Sequence, residues 1–536
     1  MIFKARLSLS CLGSLVCVAH AAGAETGAST ATTAISLGDL IRDPEVVADL
    51  AQSRFEADTE ELLRDLVRIP TVAGDAPSRA RFGDRIERAA TDLGLTFERI
   101  DEDHAFVISM PGPSLVPDFW ILAHGDVVPA DESAWPVPPF EAAVRGDTLF
   151  GRGTLDDKGA VAAALYAIAA VRESNARLIR KPLLVVGMAE ETDWRGVQAV
   201  LADKKAPDFA VVVDGDYPLT IGERGYVDIA VTAAGGPRDR SPRLVALEGG
   251  TASNVVPAKA VLRATARRGR GAQLETDLGR RAKELSGAES GLSFTLLREN
   301  DGVTLTFHGR AAHGSTPDEG RNAIAPALRI AAEAGLLAGS WAELVPLMGK
   351  LETDGRNLGI ASSVDCLGAT TVNLGKVSTE GDRLSFWINI RPTTEQSVTE
   401  IVAQVEKRLA THDEITIETV SGDGLDAFLG AAKDPLAMIL LGSYNEETDR
   451  EDQPVCIGGT TYAKAFLDTK TLAVGFGPAD PTRGEDALYH ADPEYILLSA
   501  LRRNLRIYAR AFMHVATSPH GVLPSVPGSI GRTPEH

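Results

Sequence analysis

The sequence lacks a surplus of positive charge and lacks long apolar runs. In 536 residues, 54 Lys and Arg face 74 Asp and Glu, which gives a formal net charge of −20. Without a basic surplus, the chain is not expected to bind a nucleic-acid backbone or to dock on anionic lipid. After the N-terminus no segment reaches about 18 uninterrupted apolar residues, so the pattern predicts a soluble mature protein with no membrane partner.

Cysteine is also scarce, with four residues in the whole chain. Cys11 and Cys17 lie close to the N-terminus, and Cys366 and Cys456 lie far apart in the body of the sequence. The latter two could pair in an oxidising compartment, and the sequence leaves open whether they meet.

What the chain does contain is an ordinary globular composition. Hydrophobic residues make up 44% of the chain and charged residues 24%, which argues against wholesale disorder and collagen-like structure. At roughly 100–200 residues for each domain, the length allows about two to four domains.

The N-terminus has the three parts of a secretory signal peptide. Lys4 and Arg6 are basic, Leu7–Val18 is a short apolar run, and Ala19–Ala24 offers small residues at a cleavage site. We therefore expect residues 1–24 to be a signal peptide and the protein to be periplasmic or secreted; the alternative is an ordinary apolar N-terminus.

Beyond this segment, apolar runs alternate with amphipathic stretches. Residues 118–123, 182–188 and 209–213 are typical of buried strands, and residues 157–172 are typical of a helix. Strands separated by helices favour an α/β domain with a doubly wound, mainly parallel sheet.

The pattern changes near residue 222 to alternating short strands with helices between them, and the first pattern returns near residue 435. This predicts one α/β domain that is interrupted by an inserted α+β domain. The expected division is a linker at 25–44, the first part of the α/β domain at 45–221, the insertion at 222–435, the second part at 436–515, and a disordered tail at 516–536.

Polar side chains follow the three predicted strands. His124 and Asp126 follow the first strand, Glu190 and Glu191 the second, and Asp214 the third. In open parallel sheets, ligands bind beyond the carboxyl ends of the strands, so these side chains are expected at one rim.

Two further candidates are Asp156, at a loop-to-helix junction, and His490, in a loop before the last predicted helix. Imidazole and carboxylate ligands suit Zn²⁺, Co²⁺ or Mn²⁺, and this set is large enough for two ions that share one bridging carboxylate. One carboxylate must stay off the metal to take a proton from water, and adjacent Glu190 and Glu191 could divide those roles. Each motif alone is typical of an ordinary loop, and the joint pattern is what indicates a site.

As an ordered set, these motifs resemble the M20 family of metallopeptidases, and within it the dipeptidases of the bacterial PepV and carnosinase-like type. The resemblance covers roughly residues 45–510. The motifs that carry it are HGDVVP at 124–129, GRGTLDDKG at 151–159, AEET at 189–192 and VDGDYP at 213–218.

The resemblance implies a role for each of these residues. His124 would bind one metal ion and His490 the other, with Asp156 as the bridge. Glu191 would complete one metal site and Asp214 the other. Glu190 would be the general base, and Asp126 would orient His124. The peptide bond between Asp156 and Asp157 would be cis.

The resemblance also makes the insertion a lid domain. His313, within GRAAHGSTP at 309–317, matches a lid histidine that stabilises an oxyanion, and Asn254 matches a lid asparagine. Arg391 matches an arginine that binds the C-terminal carboxylate of the substrate, and Gly458 and Gly459 match a turn in the same pocket. Alternatively, Arg391 ends a strand and His313 starts a helix without further role. Asp216 and Asp228 have no assigned role.

The leading interpretation is a two-metal exopeptidase that cleaves dipeptides or short peptides, with Zn²⁺ as the expected metal. A deacylase of N-acyl amino acids or a carboxypeptidase is the alternative, and a non-catalytic binding protein is a third reading. The long insertion resembles the lid of monomeric dipeptidases. We therefore expect a monomer, with a homodimer as the alternative.

Overall fold

A computed structural model describes residues 43–518, apart from 114–117, 235–240, 290, 411–412, 421, 423 and 431. The predicted signal peptide, residues 1–24, and almost all of the predicted linker and tail lie outside the described residues. The first described helix begins at Pro44, and the last ends at Thr517, two residues into the predicted tail.

The described residues contain ten α-helices and twenty-four strands, joined by short 3-10 turns and loops. The helices are α1 Pro44–Val67, α2 Ala76–Asp92, α3 Lys158–Glu173, α4 Arg195–Asp203, α5 Gly271–Ala288, α6 Ile324–Glu333, α7 Trp341–Met348, α8 Val398–Leu409, α9 Pro435–Thr448 and α10 Leu498–Thr517. The strands are β1 Thr96–Ile100, β2 Ala105–Ser109, β3 Phe119–His124, β4 Ala143–Arg145, β5 Thr148–Phe150, β6 Pro182–Gly187, β7 Phe209–Val212, β8 Gly215–Asp216, β9 Thr220–Glu223, β10 Val227–Ala233, β11 Arg243–Gly249, β12 Lys259–Thr265, β13 Ser293–Glu299, β14 Gly302–His308, β15 Ser363–Val364, β16 Gly368–Ala369, β17 Thr371–Glu380, β18 Arg383–Arg391, β19 Ile415–Thr419, β20 Phe428–Leu429, β21 Val455–Ile457, β22 Leu472–Gly475, β23 Pro478–Ala479 and β24 Tyr495–Leu497.

The larger sheet has nine strands in the order β1-β2-β6-β3-β7-β22-β9-β20, with β21 beside β9. Its four central strands, β6, β3, β7 and β22, are parallel. The sheet is therefore mixed rather than mainly parallel, since β1, β2 and β20 pair antiparallel with their neighbours and β9 pairs antiparallel with β22 and β20 but parallel with β21. Strands β1 and β2 are antiparallel because the few residues that join them cannot make the long crossover that parallel strands need.

The central strands are buried on both faces. Trp120 and Leu122 pack on one side with residues of α4, whereas Ile121 and Ala123 pack on the other side with residues of α1, α3 and α10. This follows from the two-residue period of a strand, and it explains why these segments read as continuous apolar runs.

Helix α3 lies in the middle of this core. It is Ala-rich, and its residues from Lys158 to Val171 are buried on every side, between the sheet and helices α1 and α10. Small side chains allow the two neighbouring helices and the sheet to approach closely. The helix therefore holds the loop before it, which carries Asp156, firmly against the edge of the sheet.

The second sheet is antiparallel and has eight strands in the order β13-β14-β12-β11-β17-β18-β10-β19. All of its strands lie between Val227 and Thr419, and helices α5, α6, α7 and α8 contribute to its separate apolar core. The chain leaves the first sheet after β9 and returns in β20, which pairs with β9. The two connections between the first sheet and the second sheet therefore lie side by side.

A disulfide bond joins Cys366, in the turn between β15 and β16, to Cys456 in β21. Among the described residues, no helix combines the length and the apolar character needed to cross a membrane.

Candidate metal centre

Three parallel strands deliver the candidate ligands to one edge of the larger sheet. His124 is the last residue of β3 and pairs with Gly187 at the end of β6, while Leu122 pairs with Val212 at the end of β7. Glu190 and Glu191 follow β6 and Asp214 follows β7. The polar groups therefore gather where the strands end, as the sequence pattern predicts.

Asp156 lies between the two histidines. One of its carboxylate oxygens, Oδ1, is 2.8 Å from Nε2 of His124, and the other, Oδ2, is 3.2 Å from Nε2 of His490. The peptide bond from Asp156 to Asp157 is cis, as predicted. A carboxylate whose two oxygens face two separate imidazoles has the arrangement that a bridging ligand requires.

The remaining acids lie on either side of this centre. Nε2 of His490 is 3.0 Å from Oε1 of Glu191, and Nε2 of His124 is 3.7 Å from Oδ2 of Asp214. Glu190 has an oxygen within 4.8 Å of ligand atoms of both His124 and Asp214. The structure thus brings together the five residues that the sequence places at the rim and the two further candidates, Asp156 and His490.

Asp126 holds three of these residues by backbone and side-chain contacts. Its backbone oxygen is 3.0 Å from Nδ1 of His124, and its carboxylate accepts the backbone N–H groups of Glu190 at 3.0 Å and Glu191 at 3.1 Å. A second buried acid, Asp157, accepts the backbone N–H of His124 at 3.1 Å. The reach of Asp126 to the glutamates is a contact that its position in the sequence does not reveal.

Glu494 is a further residue of the site that the sequence reasoning missed. It is fully buried, and its carboxylate accepts the backbone N–H groups of Gly153, Leu155 and Asp156 at 2.8–3.1 Å. Arg152 pairs with it at 2.9 Å. These bonds hold the loop that carries the shared aspartate. No motif marks Glu494, because its partners come from a distant part of the chain.

The acids of the centre oppose one another electrostatically. Burial, together with the nearby charges of Asp156 and Glu191, raises the pKa of Asp214 to about 7. Burial and the charge of Asp214 raise the pKa of Glu190 well above its usual value. Partial desolvation opposes a charge on the half-exposed ring of His490, but its hydrogen bonds to Asp156 and Glu191 raise its pKa to about 11.

This crowding of donors fits divalent cations. Two imidazoles and several carboxylates match the ligand chemistry of Zn²⁺, Co²⁺ or Mn²⁺. Without cations, the negative charges of the clustered carboxylates would repel one another. In the residues present, His124 and Asp214 would hold one ion and His490 and Glu191 the other, with Asp156 common to both.

His313 comes from the second sheet's side of the molecule and is neutral. Burial and the charges of Arg391 and His490 lower its pKa to about 4. Its Nδ1 lies 2.6 Å from Oγ of Ser315 and also accepts the backbone N–H of that residue at 3.4 Å. Because Nδ1 accepts, the ring hydrogen is on Nε2. A backbone bridge between Val255 and His313 brings the predicted Asn254 beside this histidine.

Arg391 is a buried cation, only 4% exposed. It donates to the backbone oxygen of Gly458 at 3.3 Å and to Oδ1 of Asn389 at 3.1 Å. Burial lowers its pKa to about 10, which leaves it charged at neutral pH. Such a guanidinium can receive a carboxylate in a bidentate manner.

The two predicted glycines differ in what they require. A side chain on Gly458 would lie 2.5 Å from Nη2 of Arg224 and 2.7 Å from Cβ of Ser315, so only glycine fits there. A side chain on Gly459 would approach nothing nearer than 3.5 Å. Arg224, which the sequence reasoning missed, donates to the backbone oxygen of Ser315 at 3.0 Å and so borders the same pocket.

Comparison with known proteins relates the chain to peptidases. A family model described as peptidase family M20/M25/M40 matches residues 120–514. The provisionally named dipeptidase YtjP of Bacillus subtilis (strain 168) is 27% identical over 481 residues, which cover 86% of this chain and 96% of that protein. The Beta-Ala-Xaa dipeptidase of Lactobacillus delbrueckii subsp. lactis is 28% identical over 396 residues, covering 73% of this chain and 80% of that protein. The crystal structure of human carnosine dipeptidase 1 is similar in fold, with a TM-score of 0.54 and 14% identity, and the match covers 89% of this chain and 99% of that one.

Proposed function

The chain belongs to peptidase family M20/M25/M40, and from this premise we propose that it is a two-metal exopeptidase that hydrolyses the peptide bond of dipeptides. The observation that carries the proposal is the shared carboxylate of Asp156, whose oxygens face His124 and His490 separately. When bound, a pair of divalent ions polarises a carbonyl oxygen and makes a water molecule more acidic. Zn²⁺ is the expected metal on the chemistry of the donors.

Glu190 is the proposed general base. Its backbone is held at both ends, since Asp126 accepts its N–H and Nε1 of Trp194 donates to its carbonyl oxygen at 2.8 Å. A carboxylate held in this position can take a proton from water and pass it to a leaving amine. Glu191, one residue on, points instead to His490.

His313 is the proposed donor to the oxyanion. The hydrogen on Nε2 can be donated to an oxygen that becomes negative, and a neutral ring keeps this arrangement across the physiological pH range. The bond from Ser315 holds the ring in the required tautomer.

Arg391 is the proposed site for the C-terminal carboxylate of the substrate. Its guanidinium is buried, and the contact that it makes with the larger sheet's side of the molecule is the hydrogen bond from Nη1 to the backbone oxygen of Gly458. Each added residue would move the carboxylate up to roughly 3.3–3.6 Å further from the metal centre, so this pocket favours dipeptides over longer peptides. The Beta-Ala-Xaa dipeptidase named above is consistent with such a substrate class.

A hydrolysis panel tests this function. Purified protein is treated with a chelator, reloaded with Zn²⁺, Co²⁺ or Mn²⁺, and offered dipeptides, tripeptides and N-acetyl amino acids. We expect hydrolysis of dipeptides, its loss on chelation and its return with metal. Faster hydrolysis of N-acetyl amino acids would instead favour the deacylase, and full activity in metal-free protein would contradict the proposal.

Export is also proposed. The apolar N-terminal segment suggests it, and the disulfide between Cys366 and Cys456 supports it, because disulfides persist mainly in oxidising compartments. Mass spectrometry of protein recovered from the periplasm or medium of a producing bacterium should find a chain that begins near residue 25. A full-length chain in the cytoplasm would contradict export.

A further inference from the structure

A row of buried polar side chains lies behind Arg391 in the second sheet. Asn389 and Arg391 are two residues apart in β18 and so project from the same face. Asp228 lies directly opposite Asn389 on the neighbouring strand β10. None of these side chains is needed for the strands to pair, because the pairing uses backbone groups.

Asn389 links Arg391 to Asp228 through two hydrogen bonds, one at each end of its amide. Nδ2 of Asn389 donates to Oδ1 of Asp228 at 2.7 Å, and Oδ1 of Asn389 accepts from Nε of Arg391 at 3.1 Å. Because an amide has a donor end and an acceptor end, the carboxylate of Asp228 determines which end faces the guanidinium. Asp228 is 7% exposed and Asn389 is fully buried, so water does not compete for these bonds.

Tyr226 links the same carboxylate to the face of the guanidinium. Its hydroxyl donates to Oδ2 of Asp228 at 2.5 Å, and its ring lies 4.5 Å from Cζ of Arg391. Ser253 also donates to Oδ2 of Asp228, at 2.7 Å. Asp228 therefore orients two groups that touch Arg391, one at its edge and one at its face.

This arrangement leaves one part of the guanidinium for a ligand. Nε is occupied by Asn389, one hydrogen of Nη1 goes to Gly458, and Tyr226 covers a face. Of the five N–H donors of arginine, those that remain lie at the Nη1–Nη2 end.

We propose that Asp228, Asn389 and Tyr226 are positioning residues for Arg391, and that they set the preference of the enzyme for substrates with a free C-terminal carboxylate. The inference rests on the proposed role of Arg391 in binding that carboxylate. It assigns a role to Asp228, for which the sequence offered none.

The test compares a dipeptide with the same dipeptide as its C-terminal amide. Wild type should prefer the free acid by at least about 100-fold in kcat/KM, the scale of a bidentate charge-assisted contact. Asn389→Ala should lower this preference by about 10- to 100-fold, through KM for the free acid, since it removes a hydrogen bond to a charged group. Its kcat/KM for the amide should fall by clearly less than its kcat/KM for the free acid, so the ratio of the two values measures the effect.

A matched control comes from the same pair of strands. Ser385 in β18 and Thr232 in β10 form a cross-strand hydrogen bond of 2.8 Å, on the same face as Asn389 and Asp228 but away from Arg391. Ser385→Ala should leave the preference unchanged. Tyr226→Phe keeps the ring and removes the hydroxyl, so it should give a smaller loss of preference even if Asn389→Ala folds poorly.

The outcomes separate this inference from the proposed function. Equal losses on the acid and the amide in both Asn389→Ala and Tyr226→Phe would overturn the inference, because a general structural defect affects both substrates. A wild type that shows no preference for the free acid would overturn the role of Arg391 itself. In an Arg391→Ala background, Asn389→Ala should change the preference no further, and an additional loss there would also contradict the inference.

Discussion

At the scale of single residues, Glu190 and Glu191 show how two adjacent acids come to differ. Both backbones are held by Asp126, yet the side chain of Glu191 reaches His490 and that of Glu190 lies near His124 and Asp214. Neighbouring residues in a loop point in different directions, so their surroundings and their chemistry diverge.

Glu190→Gln should therefore separate catalysis from metal binding. We expect metal content near that of wild type and a kcat lower by at least about 10²-fold, the usual scale for a lost general base. Glu191→Gln, one residue away, should instead lose metal. Elemental analysis combined with single-turnover kinetics checks both, and a Glu190→Gln protein depleted of metal would make Glu190 a ligand.

His313 should make stability depend on pH. Its pKa is 6.5 in an ordinary environment and about 4 in the folded protein. Between these values the unfolded chain binds a proton that the native state does not, so the free energy of unfolding falls as the pH drops from about 6.5 to 4. Above pH 6.5 the contribution is fully present.

Denaturant unfolding at a series of pH values measures this, with His313→Gln as the comparison. The stability of wild type should decline more steeply than that of the variant below pH 6.5. Parallel curves for the two proteins would show that the histidine is not held neutral.

At the scale of structural elements, the loop Gly153–Asp156 depends on one side chain from another part of the chain. Glu494 accepts three of its backbone N–H groups and pairs with Arg152. Glu494 contacts Asp156 only through the backbone N–H of that residue. It therefore positions Asp156 without touching the side chain that would bind metal.

Glu494→Gln should weaken metal binding by about 10–100-fold, since the partners that orient metal ligands carry effects of that size. The amide keeps the shape but loses charge and one acceptor. Glu447→Gln is the control, because its carboxylate also pairs with two arginines, Arg506 and the buried Arg510, but in a different part of the structure. Titration of apoprotein with metal measures the affinity, and equal effects in both variants would argue against the role of Glu494.

The turn between β15 and β16 is tied to β21 by the disulfide between Cys366 and Cys456. The two cysteines are 90 residues apart. In the chain-entropy description, closing a loop of that size lowers the entropy of the unfolded chain and so stabilises the folded state by about 4–5 kcal/mol.

The double variant Cys366→Ser with Cys456→Ser should therefore unfold at a lower denaturant concentration, with a loss of up to about 4 kcal/mol. Its metal content should not change, because neither cysteine lies among the candidate ligands. Reduction of wild type should shift the midpoint in the same direction, whereas an unchanged midpoint after verified reduction would contradict the prediction.

At the scale of the whole molecule, one chain supplies both parts of the site. Ser315, two residues after His313, accepts a hydrogen bond from Arg224 at 3.0 Å and borders Gly458, which follows β21 of the larger sheet in the same chain. This contact within one chain supports the expectation that His313 serves the metal centre of its own chain.

We accordingly expect a monomer. Light scattering should give a mass near that of the mature chain, and a mass near twice that value would contradict the expectation. Mixing Glu190→Gln protein with His313→Ala protein is an independent check. No activity should be recovered, because each chain lacks one of the groups that its own site needs.

The sequence by itself identified the candidate ligands and the order of the segments that carry them. This was possible because His124, Glu190 and Asp214 each follow a strand within a short motif, so local pattern and strand direction are enough to predict a common rim. The cis bond after Asp156 was expected only from the resemblance to the M20 family. The antiparallel strands at the edges of the larger sheet were not expected, since strand direction depends on connections that apolar runs do not record.

Only the tertiary structure decided which distant residues support these ligands. Glu494 lies 338 positions from Asp156, and Asn389 lies 161 positions from Asp228, yet each pair is joined by a hydrogen bond. The pairing of Cys366 with Cys456 is of the same kind. A buried acid or amide gains its role from the donors that packing brings to it, and this packing is a property of the folded chain, because no local period or spacing in the sequence encodes such contacts.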